Sequence, residues 1–166
     1  MEALSHDYNL IPIFSLVSAA TDSRFGKAAD FLEQARRICS KEPIVTIAQA
    51  EPIGPKKLLD ALIIAPCTGN TLAKLAPGIA DGPVTMAAKS HLRNGRPVVV
   101  ALSTNDALSA AAENLGRLLV RKHYYFVPFG QDLPTGKPCS MVADFDQIPA
   151  TLEQALAGHQ IQPLLL

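Results

Sequence analysis

The sequence of 166 residues contains no tryptophan, and aromatic residues make up only 5% of it. Its 15 basic and 15 acidic residues give a formal net charge of +0, so an attraction to nucleic acid or to an acidic membrane surface is not predicted. No apolar run is long enough to cross a membrane. These features argue against charged polymers and membranes as partners.

Cysteine and histidine are also scarce, and neither shows the spacing of a metal site or a redox motif. An odd number of cysteines without such spacing is typical of free thiols in a reducing compartment. The first residues lack the basic and apolar regions of a signal peptide, so we expect a cytoplasmic protein without a metal. The residues concerned are Cys39, Cys67, Cys139, His6, His91, His123 and His159.

Short apolar segments alternate with segments of helical periodicity along the whole chain, and no linker separates them. This alternation predicts one domain over residues 1–166, an α/β fold with a doubly wound parallel sheet. Strands are predicted at 9–17, 60–65, 97–102 and 124–127, and helices at 25–38, 81–95, 106–122 and 147–157, with a long loop at 128–138.

Small polar residues follow the buried strand at 60–65, which Pro66 is expected to end. Thr68, Gly69, Asn70 and Thr71 then open a helix, where unpaired N–H groups and the helix dipole favour a phosphate. The alternative is that Thr68 or Asn70 only caps the helix, as any strand-to-helix junction requires. Both interpretations stay open at this point.

The other predicted strands also end in small polar residues, namely Thr21 after the first and Ser103, Thr104 and Asn105 after the third. Ligands of doubly wound sheets bind beyond the carboxyl ends of the strands. None of these ends combines a nucleophile with a base, and neither a P-loop nor a dinucleotide glycine fingerprint occurs. We therefore predict a site that holds a cofactor.

The segment Ala65–Asp81 resembles the central motif of the flavoprotein family that includes phosphopantothenoylcysteine decarboxylase and peptidyl-cysteine decarboxylases. A more specific resemblance, to the B subunits of dipicolinate synthase, rests on several segments in the expected order. They are Thr21–Lys27, Ala50–Lys57, Met86–Pro97 and Val127–Asp132.

This resemblance implies a flavodoxin-like, Rossmann-like fold of three α/β/α layers and a flavin mononucleotide (FMN) site. Thr68, Gly69, Asn70 and Thr71 would lie on the phosphate side, with Thr21 as an added contact, and Ser103, Thr104 and Asn105 towards the ring. It also implies a homo-oligomer that acts with the A subunit of dipicolinate synthase, which carries NADP. Together the two kinds of subunit would oxidise the small dicarboxylate dihydrodipicolinate to dipicolinate during sporulation.

Two departures oppose decarboxylation of a cysteine-containing substrate, which is one alternative function. The position of the decarboxylases' histidine is Pro52 here, and their substrate-holding motif corresponds to Leu102–Asn105, which keeps only the asparagine. A further alternative is an assembly subunit that holds no flavin. Its support is that family members open with a strand and a phosphate-binding turn, whereas this chain starts within the helix that would follow.

We therefore expect an N-terminally truncated form of the fold in which a central strand, next to the one at 60–65, is missing. Either Met1 is an internal methionine of a longer natural chain, or the truncated form holds flavin poorly. Cys67 is expected to be a buried, inert thiol. The basic residues Lys89, Arg93 and Arg96 are expected to form either a solvated helix face or a site for a dicarboxylate.

Overall fold

The computed structural model describes residues 1–166, which form eight α-helices, five short strands and two 3₁₀ turns. The helices are α1 (Glu2–Ser5), α2 (Leu16–Ala20), α3 (Ala28–Cys39), α4 (Ile47–Ala50), α5 (Gly69–Leu75), α6 (Pro83–Leu92), α7 (Ala112–Leu119) and α8 (Ile148–Leu156). The strands are β1 (Leu62–Cys67), β2 (Val98–Thr104), β3 (Tyr124–Phe126), β4 (Phe129–Gln131) and β5 (Met141–Ala143). None of the helices has the length and apolar character that a membrane span requires.

Strand β2 lies at the centre of the sheet. It pairs in parallel with β1 on one side and with β3 on the other, and its last residues pair with β5 in antiparallel orientation. Every residue from Val98 to Leu102 is fully buried. Since successive side chains of a strand point to opposite faces, helices must cover both faces of the sheet here. The predicted three-layer, flavodoxin-like α/β fold is confirmed.

The sheet is mixed, whereas the sequence pattern predicts a parallel one. The segment at 128–138, predicted as a loop, contains β4, which forms an antiparallel pair with β5. Both strands have only three residues, too few for a visible alternation of apolar and polar side chains.

The predicted strand at 9–17 is reduced to a single parallel bridge between Ile13 and Ile44. Its last part forms α2 instead, because the Ser15 hydroxyl accepts a hydrogen bond from the Ser18 amide at 3.0 Å and caps the helix. All four predicted helices are shorter than expected, and two of them begin several residues late. The helix predicted at 25–38 begins at Ala28, which leaves Phe25 exposed before it, and the one predicted at 106–122 begins at Ala112.

Strand β1 does not end at Pro66 as predicted but continues to Cys67, with a shift in its register to β2 between Ile64 and Cys67. Proline is tolerated here because β1 is an edge strand, where a missing N–H interrupts no ladder. Within residues 1–166 no strand pairs with the outer edge of β1. That a further strand belongs there stays a prediction.

His91 connects α6 to the start of β2. The residue is fully buried, and its Nε2 lies 3.0 Å from the Pro97 carbonyl oxygen, to which it donates when the ring is neutral. Its Nδ1 atom is buried without a hydrogen-bond partner. Burial lowers the pKa of His91, the Arg96 charge lowers it further, and the Pro97 carbonyl and Asp60 act in the opposite direction.

A neutral His91 predicts a stability that depends on pH. In the unfolded chain histidine takes up a proton near pH 6.5, whereas the folded protein resists protonation until a lower pH. The unfolded state therefore binds more protons in that window, and the free energy of unfolding should fall as the pH drops from about 6.5 to 5. Urea titrations at several pH values in this range should show that the free energy of unfolding depends less steeply on pH in His91→Gln than in the wild type. Equal pH dependence in the two proteins would contradict the prediction.

Candidate functional site

Thr68 joins β1 to α5 and caps that helix. Its hydroxyl accepts a hydrogen bond from the Thr71 amide at 3.4 Å and lies 3.3 Å from the Thr71 hydroxyl. The amides of Gly69 and Asn70, in the first turn, have no backbone partner. Thr68 and Asn70 are exposed. The first turn of α5 thus presents two free N–H donors, two hydroxyls and a side-chain amide to solvent.

Gly69 brings this turn into contact with the end of β2. A Cβ atom at Gly69 would lie 2.7 Å from Thr104 Oγ1 and 2.9 Å from Asp106 Oδ1, closer than real side chains approach. The Thr104 hydroxyl donates a hydrogen bond of 2.5 Å to that Asp106 oxygen. Only glycine permits this approach. The first turn of α5, at Thr68–Thr71, therefore lies against Thr104 at the carboxyl end of the neighbouring parallel strand.

Asn105 faces the β4–β5 hairpin. The Ser140 hydroxyl lies 3.3 Å from Asn105 Oδ1 and 3.5 Å from Asp132 Oδ2, so it donates to one or the other. Ser140 is buried, and Asp132 also forms an ion pair with Lys137 at 2.9 Å. Asn105 Oδ1 therefore lies beside the hairpin and shares the Ser140 donor with Asp132.

Ser103 and Thr21 complete the predicted set. Ser103 lies within β2 and pairs with Val142, so its backbone position is fixed by the hairpin. Thr21 ends α2 and is exposed, with no hydrogen bond from its side chain to the cluster around Gly69. The structure thus joins Thr104 to the first turn of α5, places Ser103 and Asn105 beside the hairpin, and leaves Thr21 apart.

Cys67 precedes this turn and has no exposed surface. Burial raises the pKa of its thiol to about 12, so the sulfur is protonated at neutral pH. A protonated, inaccessible thiol is not a nucleophile. The interpretation of Cys67 as an inert core residue is supported.

Sequence reasoning missed the roles of Asp106, Asp132 and Ser140. The helix predicted at 106–122 would start at Asp106, but this residue belongs to a turn, and its carboxylate contacts the first turn of α5. The signal that could have found it is the spacing Thr104-Asn-Asp106, since a hydroxyl and a carboxylate two residues apart commonly bond within a turn. Ser140 depends on hairpin pairing, which three-residue strands do not reveal.

Taken together, the doubly wound sheet and the polar residues at its carboxyl edge define an α/β protein of the flavodoxin-like class. Comparison with known proteins gives the family: a model described as Flavoprotein matches residues 14–153. The chain belongs to the Flavoprotein family.

The chain is also 45% identical over 165 residues to the B subunit of dipicolinate synthase from Bacillus subtilis (strain 168), a match that covers 99% of this chain and 82% of that protein. The crystal structure of the dipicolinate synthase B subunit from Bacillus halodurans C superimposes with a TM-score of 0.87 at 44% identity, over 95% of this chain and 81% of that one. The resemblance predicted from the sequence is confirmed.

A more distant structure shares the fold. Burkholderia xenovorans DmrB, solved in complex with FMN and described as a cubic protein cage for redox transfer, has a TM-score of 0.65 at 19% identity, over 93% of this chain and 86% of that one.

The contact at Gly69 predicts that replacing this glycine with alanine lowers stability, whereas the same replacement at Gly116 raises it. In Gly69→Ala, Thr104 or Asp106 must rotate away and their charged hydrogen bond is lost, so the free energy of unfolding should fall by about 1–3 kcal/mol. Gly116→Ala is the matched control because nothing lies within 4 Å of a Cβ at that helical position. It should raise stability by about 0.5–1 kcal/mol. Urea unfolding measures both, and equal stabilities would show that α5 and β2 do not meet tightly.

Proposed function

We propose that this protein is the flavin-binding subunit of dipicolinate synthase and holds FMN at the carboxyl edge of its sheet. The observation that carries the proposal is the packing of Gly69 on Thr104 and Asp106, which joins two polar strand ends into one surface. Membership of the Flavoprotein family and 45% identity to the B subunit of a dipicolinate synthase support it.

The residues at this edge fit the phosphate of FMN. The free amides of Gly69 and Asn70, the hydroxyls of Thr68 and Thr71 and the side chain of Asn70 can donate to phosphate oxygens at the positive end of α5. The carboxylate of Asp106 lies next to Gly69 and would repel a phosphate placed against it. The proposal therefore places the phosphate beside Thr68, Asn70 and Thr71 and away from Asp106.

The protein's own part in the chemistry is positioning. When bound, FMN would supply the capacity to accept and release electrons. Ser103, Thr104 and Asn105 offer hydroxyls and an amide on the ring side of the proposed site, and the Ser140 hydroxyl lies beside Asn105. Cys67 contributes no thiolate, because its sulfur is buried and protonated.

The reaction we propose is the oxidation of dihydrodipicolinate to dipicolinate, carried out together with the A subunit of the synthase, which binds NADP. Its support is the similarity to B subunits of that enzyme, whose designation implies a second kind of subunit. We place this reaction in the cytoplasm of a sporulating cell.

One observation favours the alternative of an assembly subunit without flavin. The Thr68 hydroxyl is already used to cap α5, so the cap alone explains why threonine stands there. A cap does not explain Asn70, whose exposed side chain forms no hydrogen bond within the protein. Asn70 is therefore the residue that separates the two functions.

We also propose that the protein forms a homo-oligomer. Around Thr21, three large apolar side chains are exposed on a helix without buried residues and on the loop after it: Leu16 (54%), Val17 (67%) and Phe25 (74%). A second copy packed on this surface would cover them and bring Thr21 into a closed site, which its own chain does not provide.

This proposal predicts that Val17→Asp weakens self-association, because a carboxylate would be buried in the contact. Sedimentation velocity at micromolar concentration should show an oligomer for the wild type and smaller species for the variant. Val120→Asp is the control, since Val120 is 85% exposed on a different helix end. A wild type that sediments as a monomer would refute the proposal.

The flavin site is tested with Asn70→Leu. Loss of the amide leaves a phosphate oxygen without its donor, at a cost of about 1–3 kcal/mol, so FMN affinity should fall about 10-fold or more. Quenching of flavin fluorescence gives the affinity. Dipicolinate formation from dihydrodipicolinate, measured with the A subunit and NADP, should fall in parallel.

Asn114→Leu is the matched control, because Asn114 lies in α7 and forms no side-chain hydrogen bond. It should leave both measurements unchanged. If the wild type binds no FMN but still supports product formation by the A subunit, the assembly function is correct and the flavin site is not.

A further inference from the structure

A cavity with basic side chains on a largely apolar wall lies at the opposite end of the sheet from the proposed flavin site. Its volume is about 290 Å³, and its wall includes Tyr124, the first residue of β3, and Arg93, which follows α6 and precedes β2. These residues mark the amino ends of the strands, whereas Thr68 and Thr104 mark the carboxyl ends. The cavity is therefore separate from the proposed flavin site.

Three cations surround this cavity and no carboxylate lines it. Lys89 and Arg93 stand one turn apart at the end of α6, and Arg121 approaches from the end of α7. Glu51 lines a neighbouring cavity together with Lys89 and Arg93 and forms an ion pair with neither. None of the three cations belongs to an ion pair, whereas other basic side chains of the protein do, namely Arg36, Lys74, Arg96, Arg117 and Lys137.

Arg121 is held in position over the cavity. Its Nη1 atom lies 3.5 Å from the Leu75 carbonyl oxygen, which orients the guanidinium between α5 and β3. The Arg121 charge also acts on Tyr124: burial raises the pKa of that phenol, and Arg121 opposes the rise. The two side chains therefore face the same space.

Tyr124 supplies a polar group that lacks a partner. The residue is only 8% exposed, yet its hydroxyl forms no hydrogen bond within the protein. The Tyr124 hydroxyl keeps some exposed surface, because His91 Nδ1 is the one fully buried side-chain nitrogen or oxygen without a partner, and Tyr124 is part of the cavity wall. A phenol without a partner in the protein, at the wall of a cationic cavity, is a donor available to an anion.

Most of the remaining lining is aliphatic, and Gly78 and Thr85 complete it. Leu75, Ile79 and Leu92 form apolar wall between the cations, and Ile79 is 48% exposed. A single inorganic anion would leave this surface in water, whereas an organic ligand with a compact hydrocarbon body would cover it. The volume is at the lower end of small-molecule sites, which are about 300–1,000 Å³.

We propose that this cavity binds a small organic dicarboxylate, with its carboxylates between Lys89, Arg93 and Arg121, its body on the aliphatic wall and the Tyr124 hydroxyl as a donor. Guanidinium groups match the two oxygens of a carboxylate, and three cations neutralise two carboxylates without a buried excess of negative charge. The cavity requires neither flavin nor a second kind of subunit. Because pyridine-2,6-dicarboxylate is dipicolinate, the product of the proposed reaction, variants at both ends of the sheet are needed to separate binding in this cavity from binding at the carboxyl edge.

The test is calorimetric titration of the full chain with pyridine-2,6-dicarboxylate, pyridine-2-carboxylate and inorganic phosphate. We expect the dicarboxylate to bind at least about 10-fold more tightly than either other probe, since each carboxylate adds a charged hydrogen bond. Equal affinity for phosphate would overturn the assignment to a dicarboxylate, and no saturable binding would overturn the site.

Variants locate the binding. Arg121→Gln and Lys89→Gln should each weaken the dicarboxylate about 10-fold, and two separate positions guard against a folding defect in one of them. Arg117→Gln is the matched control, because Arg117 lies in the same helix but pairs with Glu113 at 2.5 Å and does not line the cavity. Asn70→Leu should also bind normally. Binding lost in Asn70→Leu but kept in Arg121→Gln would place the dicarboxylate at the carboxyl edge and refute the proposal.

Discussion

The complete burial of β2 is the constraint on which the rest of the structure depends. Val98 to Leu102 have no exposed surface, and the strand pairs with β1, β3 and β5. A strand covered on both faces and paired on both edges cannot shift its register without exposing apolar side chains. Its carboxyl end, with Thr104, therefore has one position relative to β1, and that position determines where α5 begins.

The contact between α5 and the rigid strand β2 forms the candidate site. Gly69 lets the helix start against Thr104 and Asp106, so that two loops far apart in sequence share one surface. The two ends of the sheet differ in charge. A carboxylate stands beside the first turn of α5, whereas three unpaired cations surround the cavity at the amino ends.

Local patterns predicted the parts of this structure that depend on neighbouring residues. The buried apolar runs predicted β1 and β2, and the small polar residues after them predicted the start of α5. The hairpin of β4 and β5 was not predictable, because each strand has three residues and is stabilised by pairing rather than by its own periodicity. Asp106 and Ser140 became part of the site only through tertiary contacts. The cavity that Arg121 shares with Lys89 and Arg93 was not predictable either. Its cations lie on helices about 30 residues apart, and helical periodicity relates only residues three or four positions apart.

The two outer edges of the parallel strands differ, and the difference links assembly to the site. The side chain of Gln160 both accepts from the Phe126 amide and donates to its carbonyl oxygen, each at 2.7 Å, so it occupies the edge of β3 as a strand would. The edge of β1 has no such partner within residues 1–166. Because β1 leads directly into Thr68, any strand paired with this edge would also restrain the turn proposed to hold phosphate. Pairing at the edge of β1 and binding at that turn would therefore strengthen each other.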